Sequence, residues 1–315
     1  MVDNGSTDDS MAYLQSLSAT PEAKAAHLRI IAYPENYGFA TGYNRAIASM
    51  DSEIVVLLNS DVCVTPDWLT PVLSYMKQHP EVGAAQPKIL AYNSLLAHQK
   101  DASQPVTFEH AGAAGGYIDK LGYPFCRGRL MSYVAEDKGQ YETVAKAFWV
   151  SGAAFFIRTE LYNKLGGLDD SFFAHMEEID LCWRLNSRGY DLVCVPQSAV
   201  YHLGGGALAY DNPRKTYLNF RNNLLMIYKN MPEPHLHRVL FCRFFLDYVA
   251  ALQALVTFKP QHSRAIIRAR IDFLRMKRNL VQKRQENLTL ATQPYPDTIA
   301  QRSVIFDFYI RRLKE

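Results

Sequence analysis

The sequence predicts an α/β fold followed by a basic helical C-terminal part, on three observations. Apolar runs alternate with helical patterns through residues 1–213, as in chains that alternate strands and helices. After Pro213 the chain turns to long, basic, helical stretches. Within the first regime, a Gly-Gly-Leu-Asp-Asp turn (Gly166 to Asp170) leads into Glu177, Glu178 and Asp180, three carboxylates within four positions.

In chain order, strands are expected at Leu28 to Ala32, Ile54 to Leu58, Val82 to Gln86, Phe148 to Ile157 and Tyr190 to Val195. Helices are expected at Asp9 to Leu17, Thr41 to Met50 and Pro66 to Gln78, the last with Pro66 in its first turn and Thr65 as cap. Residues 91–119 read as an irregular surface excursion. Leu236 to Phe258 is apolar enough to raise a membrane span, but Arg238, Arg243 and Asp247 interrupt it, and such charges are costly at a bilayer centre. A helix packed on the domain or lying at a membrane surface is expected instead. Arg264 to Arg284 intersperses apolar residues with Lys and Arg. That pattern suits either binding to anionic lipid or a solvated face over a small core.

The net charge of +3 hides an asymmetry. From Arg214 onward there are 19 Lys and Arg against 7 Asp and Glu, whereas residues 1–213 hold 15 against 24. An acidic front suits a metal site and a basic rear suits an anionic partner. No nucleic-acid motif accompanies the charge, so nucleic acid is not expected as a partner. Five cysteines without CxxC spacing argue for a reducing compartment and against a disulfide framework. Met1 to Asn4 is polar too early for a secretory leader. A dinucleotide-dependent oxidoreductase is disfavoured, since no GxGxxG follows a strand.

Acids crowded in an apolar setting cost solvation energy and repel one another, so a fold that keeps them there usually uses them. Phe172, Phe173, Ile179, Leu181 and Trp183 supply that setting. The acids are therefore expected at the start of a buried helix, facing a cleft. The plain alternative is electrostatic support of a helix N-terminus. Four further segments carry weaker signals. Val2 to Ser10 reads as a strand end, a tight Asn-Gly turn and a capped helix, where open α/β sheets bind ligands. Asn36 to Asn44 is a polar, Gly-bearing loop whose amides could approach a phosphate. Leu57 to Val62 ends an apolar strand on Asn59 and Asp61, either a hard-cation site or a turn. His202 precedes Gly204 to Gly206, a flexible run suited to a loop moving over substrate.

In this order VDNGSTDDS, NYGFATGYN, LLNSDV, WVSGAAFFIR, GGLDDSFFAHMEEIDLCWRL, GYDLVCVP and YHLGGG resemble the inverting family 2 glycosyltransferases, rhamnosyltransferase-like branch, with the GT-A fold. The resemblance runs from residue 2 to 230. It implies a catalytic domain over 1–213 and a helical extension over 214–315. The reaction it implies is transfer of a sugar, rhamnose at family level, from a nucleotide-diphosphate donor to a cell-surface polysaccharide or lipid-linked glycan. Asp3 would hold the base, and Asn36, Gly38, Asn44 and Asn59 would line the donor. Asp61 would bind Mg²⁺ or Mn²⁺ with His202 as a further ligand. Trp149, Ser151 and Gly152 would line the acceptor and sugar pocket. Glu178 would be the base, Glu177 would help bind acceptor, and Asp180 would orient or cap.

Two departures qualify the resemblance. Glu178 stands where the family usually has Asp. Relatives also begin with an apolar strand, a turn and a helix before the VDN motif, whereas here Val2 follows Met1. The intact remaining motifs favour a start assigned too late over a damaged, merely binding remnant. A cytoplasmic enzyme, peripheral on the inner face of a bacterial plasma membrane, is the resulting expectation.

Overall fold

The structure, a computed structural model, describes residues 1–204 and 211–314. Its centre is a mixed six-stranded sheet. Ala145–Ala147, Asp191–His202, Val82–Ala91, Ala154–Arg158 and Ile54–Leu58 lie side by side, and Val62–Val64 pairs with the far end of Asp191–His202. Asp191–His202 and Val82–Ala91 run parallel, while Ala154–Arg158 is antiparallel to both its neighbours. Nine consecutive residues from Val82 to Leu90 are buried, as expected for a strand covered on both faces. One face is covered by the helix Leu69–Gln78 through Val72 and Met76. The other carries the helix Glu177–Ser187, whose Ile179, Leu181, Trp183 and Leu185 enter the main core. Val2–Asn4 pairs in parallel with Ile31–Tyr33 in a separate two-stranded sheet. A third, five-stranded sheet joins Ile299–Ala300 to Gly116–Asp119 and the short strands following it.

Several expected elements shift for identifiable reasons. The strand expected over 148–157 begins only at Ala154. Before it, the Ser151 amide donates to Gln86 Oε1 at 2.8 Å and the Ser151 hydroxyl accepts from the Ala153 amide at 3.2 Å, which draws the backbone out of the ladder. The helix expected from Pro66 starts at Leu69 with Trp68 as its cap residue. Thr65 does not cap it: its hydroxyl donates to the Ala199 carbonyl at 2.8 Å. The strand expected to stop at Val195 continues to His202, with a register shift between Val195 and Ala199 that absorbs Pro196, a residue without an amide to donate. The excursion over 91–119 contains a helix, Tyr92–Lys100, and the strand Gly116–Asp119.

Beyond residue 213 come the helices Pro213–Asn230, Glu233–Val256, Pro260–Met276 and Val281–Thr289. The expected boundary is no break in packing. Leu224, Leu225, Ile227, Val239 and Phe273 belong to the same core cluster as Trp149, Phe155 and Trp183.

Candidate active site

The acidic helix begins after an unusual backbone run. Phe173, His175 and Met176 all have positive φ (65°, 68° and 73°), a conformation that costs non-glycine residues on the order of 1–3 kcal/mol each. Their surroundings hold them there. Asn222, wholly buried on the helix Pro213–Asn230, directs its amide nitrogen at the carbonyls of Phe172, Ala174 and His175 at 2.8–2.9 Å. Arg221 reaches the Phe172 carbonyl at 3.1 Å. On the opposite side the Phe39 amide donates to the Phe173 carbonyl at 2.8 Å. Gly38 must be glycine there, because a Cβ would lie 2.6 Å from the Phe173 ring, at a φ of 80°.

The run delivers Glu177 and Glu178 with one carboxylate oxygen each, Oε2, buried and without a hydrogen-bond partner. Burial raises the pKa of both, and the neighbouring Glu178 charge raises Glu177 well above the carboxylate range. Two acids so placed titrate as a pair. Glu178 faces Gly152: a Cβ on that glycine would meet Phe39 at 3.3 Å and the Glu178 Cγ at 3.8 Å.

Asp180, expected to orient or cap, lies apart from the two glutamates. It is 0 % exposed and accepts from Arg184 at 3.0 Å, Lys229 at 2.7 Å and Asn230 at 2.7 Å. It therefore anchors the helix and cannot reach a substrate. Asp169 shares Lys229 at 2.6 Å and also accepts from Lys283 at 2.8 Å. Burial would raise its pKa, but these ammonium groups hold it far below the carboxylate range.

Asp61 and His202 lie together, Nε2 to Oδ1 at 3.2 Å. Strand pairing of Val62–Val64 with the end of Asp191–His202 makes the contact. On the other ring nitrogen, His202 Nδ1 lies 3.4 Å from Glu109 Oε2. Burial disfavours the imidazolium, yet the two carboxylates outweigh it and push the His202 pKa up to about 9. Glu109 was not foreseen. It lies in the stretch read as an irregular excursion, and its Glu-His neighbourhood (Glu109-His110) was the only sequence cue. It is buried and accepts from the Ala111 amide. The Asn-Ser-Asp turn is tied to the acidic wall through the Asn59 amide, which donates to the Ala153 carbonyl at 3.1 Å, one residue beyond Gly152.

The remaining expected residues divide. Asp3 is buried at a strand centre and accepts from the Ser6 amide at 3.3 Å. Asn36 stays exposed, its Oδ1 accepting from the Gly38 amide at 2.8 Å. Asn4, not singled out, ties the two loops together: it donates to the Gly38 carbonyl at 3.0 Å and accepts from the Tyr37 amide at 3.1 Å. Asn44 is a correction. Its Oδ1 accepts from Tyr162 and Leu168, and its Nδ2 donates to Leu168 and Asp170. Its amide is thus committed to holding the Gly166–Asp170 turn. Trp149 and Ser151 are corrections too. The indole, 3 % exposed, donates to the Tyr117 carbonyl at 2.8 Å and packs on Gly116. Ser151, 2 % exposed, donates to the Ala111 carbonyl at 2.8 Å. Both support the wall from behind, and only Gly152 lies beside Glu178. Of the triple glycine, Gly204 has a φ of 70°, while Gly205 and Gly206 lie outside the described residues.

Residues 1–138 match the family described as Glycosyl transferase family 2. The O-antigen biosynthesis protein RfbC of Myxococcus xanthus is 30 % identical over 171 residues, covering 54 % of this chain and 12 % of that protein. N-acetylglucosaminyl-diphospho-decaprenol L-rhamnosyltransferase of Mycobacterium tuberculosis is 24 % identical over 216 residues, 64 % of this chain and 65 % of that one. Rhamnosyltransferase WbbL of Escherichia coli is 22 % identical over 173 residues, 53 % and 61 % respectively. The chain thus spans less than two thirds of the length of each of these relatives. Among solved structures, GalNAc-T7 with UDP, GalNAc and Mn²⁺ superposes with a TM-score of 0.55 at 12 % identity, over 93 % of this chain and 51 % of that one. TarS of S. aureus gives 0.50 at 15 % identity, over 92 % and 47 %. The shared fold is GT-A, and it is the first 138 residues of the chain that are similar to family 2 glycosyltransferases.

Proposed function

We propose that this domain is a metal-dependent inverting glycosyltransferase, moving a sugar from a nucleotide-diphosphate donor to a hydroxyl of a cell-envelope glycan. The observation that carries the reading is the meeting, around Gly152 and Ala153, of Glu178, whose Oε2 has no hydrogen-bond partner, with the Asn59–Asp61 turn and its His202 partner. Rhamnose and a lipid-linked acceptor are the preferred substrates, by similarity to the mycobacterial and E. coli relatives. A site of action in the bacterial cytoplasm, at the inner face of the membrane, is part of this proposal.

Asp61 and His202 would hold Mg²⁺ or Mn²⁺. An oxygen–nitrogen pair at strand ends, with His202 backed by Glu109, fits a divalent cation that completes its coordination with diphosphate and water. Among the described residues no group of three or more His, Cys, Asp or Glu is placed to hold a metal by itself, so the protein would supply only these two ligands. Bound there, the cation would supply counter-charge for the departing diphosphate. The protein's own residues carry the proton. Glu178 takes it from the acceptor hydroxyl, and its raised pKa makes it a stronger base than an exposed carboxylate. The hydroxyl oxygen then bonds to the anomeric carbon from the face opposite the diphosphate. The bond to the diphosphate breaks with its electron pair, and the configuration inverts. Glu177, beside the base, is placed in this reading as an acceptor contact. Asp3 and the Asn36–Gly38 turn would border the nucleoside.

A screen of nucleotide-sugar donors with and without Mn²⁺, comparing the protein with Glu178→Gln, tests the reading. Turnover that needs Mn²⁺ and collapses in the variant supports it. Turnover that survives Glu178→Gln removes the base from the mechanism, and absence of turnover with every donor leaves a binding domain.

A further inference from the structure

The helix Glu233–Val256 has two faces that cannot share one environment. Inward, Leu236, Val239, Arg243, Asp247 and Ala251 are buried. Arg243 and Asp247 pair at 3.2 Å, Arg270 of the next helix reaches Asp247 at 2.6 Å, and Arg243 also donates to Asn223 and to the Leu121 carbonyl. Outward, Phe241, Phe244, Phe245, Tyr248, Val249, Leu252, Leu255 and Val256 are exposed, and Phe258 just past the end is 93 % exposed. At 3.6 residues per turn these positions cover a stripe about 140° wide, opposite the buried face. Only 22 % of the helix's most apolar 18-residue window is buried, so it is no core helix.

The neighbouring helix Pro260–Met276 extends the stripe with exposed Ile267, Ile271 and Leu274. Beside them, Arg264, Arg268 and Arg275 form an exposed ridge, continued by Arg278. Asp272 is the one acid within it, and it is shared by Arg268 and Arg275, so the ridge keeps net positive charge. Exposed apolar patches of this extent mark interaction surfaces.

We infer that this face is an in-plane membrane anchor, with the Phe241–Phe258 stripe entering the acyl boundary of an anionic bilayer and the arginine ridge meeting its headgroups. Three observations select this occupant. A crossing of the membrane would tear Arg243 and Asp247 from Arg270, Asn223 and the Leu121 carbonyl and carry both charges into hydrocarbon. A second copy docked on the same face would bring two arginine ridges together. An anionic bilayer instead offers complementary charge and an apolar interior side by side. The inference deepens the membrane-facing part of the proposed function and depends on it only for the meaning of the site, because lipid binding is measured without turnover.

The test is co-flotation of the full chain with vesicles of phosphatidylcholine alone and of phosphatidylcholine with phosphatidylglycerol. The protein is expected to float with the anionic vesicles. Phe245→Asp with Leu252→Asp, both exposed positions, should lower partitioning about a hundredfold or more, from the lost burial of two large apolar side chains. Arg264→Ala with Arg268→Ala and Arg275→Ala should remove the preference for anionic over neutral vesicles. Turnover of a water-soluble acceptor should survive both sets, so a failed anchor and a failed enzyme give different results. No flotation, flotation unaffected by the aspartates, or a dimer in solution that the aspartates split without any change in flotation would each overturn the inference.

Discussion

Two pairs of acids lie within twelve residues of one another and live in opposite electrostatic states. Asp169 and Asp180 are wrapped by Lys229, Lys283, Arg184 and Asn230. Glu177 and Glu178 each keep a buried oxygen with no partner. The first pair is structural, each acid paired with a cation. The second is held toward its protonated form by burial and mutual repulsion. Burial alone therefore does not mark a functional acid. What separates the two is whether the fold supplies a cation, and here it supplies cations only to the acids that face inward.

The comparison can be broken from either side. The largest effect is expected for Glu178→Gln, which should lower kcat/KM about 10²–10⁴-fold, the usual contribution of a general base, without lowering the melting temperature. Lys229→Met should do the reverse. Leaving Asp169 and Asp180 short of a cation in the interior should cost about 3–5 kcal/mol of stability, read by denaturant unfolding. Should Lys229→Met prove as stable as the parent, the buried network has been misjudged. Glu109→Gln tests an acid of a third kind, one whose partner is a histidine facing the metal position. Mn²⁺ affinity by calorimetry should fall about 10–100-fold, the usual effect of removing a group that orients a ligating histidine.

The pH profile sharpens the same contrast. If Glu178 is the base as proposed, it acts deprotonated, and because its pKa is raised, kcat/KM should climb through a step above the ordinary carboxylate range. A plateau already reached at pH 5 contradicts it. The smallest effect concerns stability. Glu177 has a folded pKa raised above its unfolded value of about 4.5. The folded state thus binds the proton more tightly, and the associated stability is fully present below pH 4.5 and lost as pH rises through the folded value. Glu177→Gln should therefore stabilise the protein at pH 8 by about 1–3 kcal/mol, the scale of one unsatisfied buried polar group, and by nothing measurable at pH 4. A variant less stable at pH 8 would show that Glu177 has a partner.

Much of the frame was legible in the residues. Ile54 to Leu58 is a strand in full, because an unbroken apolar run between polar turns has few other fates. The helix start at Glu177 was visible from its acids and their apolar surroundings. What could not be read was the phase of that helix against the rest of the chain. Glu177 and Asp180 sit three residues apart, yet Asp180 meets Lys229 and Asn230 from a helix some fifty positions later. The same limit hid Asn222 and Glu109 and misassigned Asn44, Trp149 and Ser151. Each role depends on a partner brought near only by tertiary closure. Pro196 misled for a local reason, since a bulge let the strand continue past it.

The helix Pro213–Asn230 grips the acidic turn through Asn222 and packs along Pro260–Met276, which carries part of the exposed apolar face. Side-chain clasps rather than a slack tether connect the two functions. With its apolar face seated in lipid, the molecule would hold Glu178 at a set height above the headgroups. Acceptor hydroxyls displaced from that height, as sugars accumulate on a lipid carrier, would pass out of reach. On that reading the geometry would act as a gauge of glycan length, and turnover on vesicle-borne acceptors would fall with each added residue while turnover on the same glycans free in solution would not.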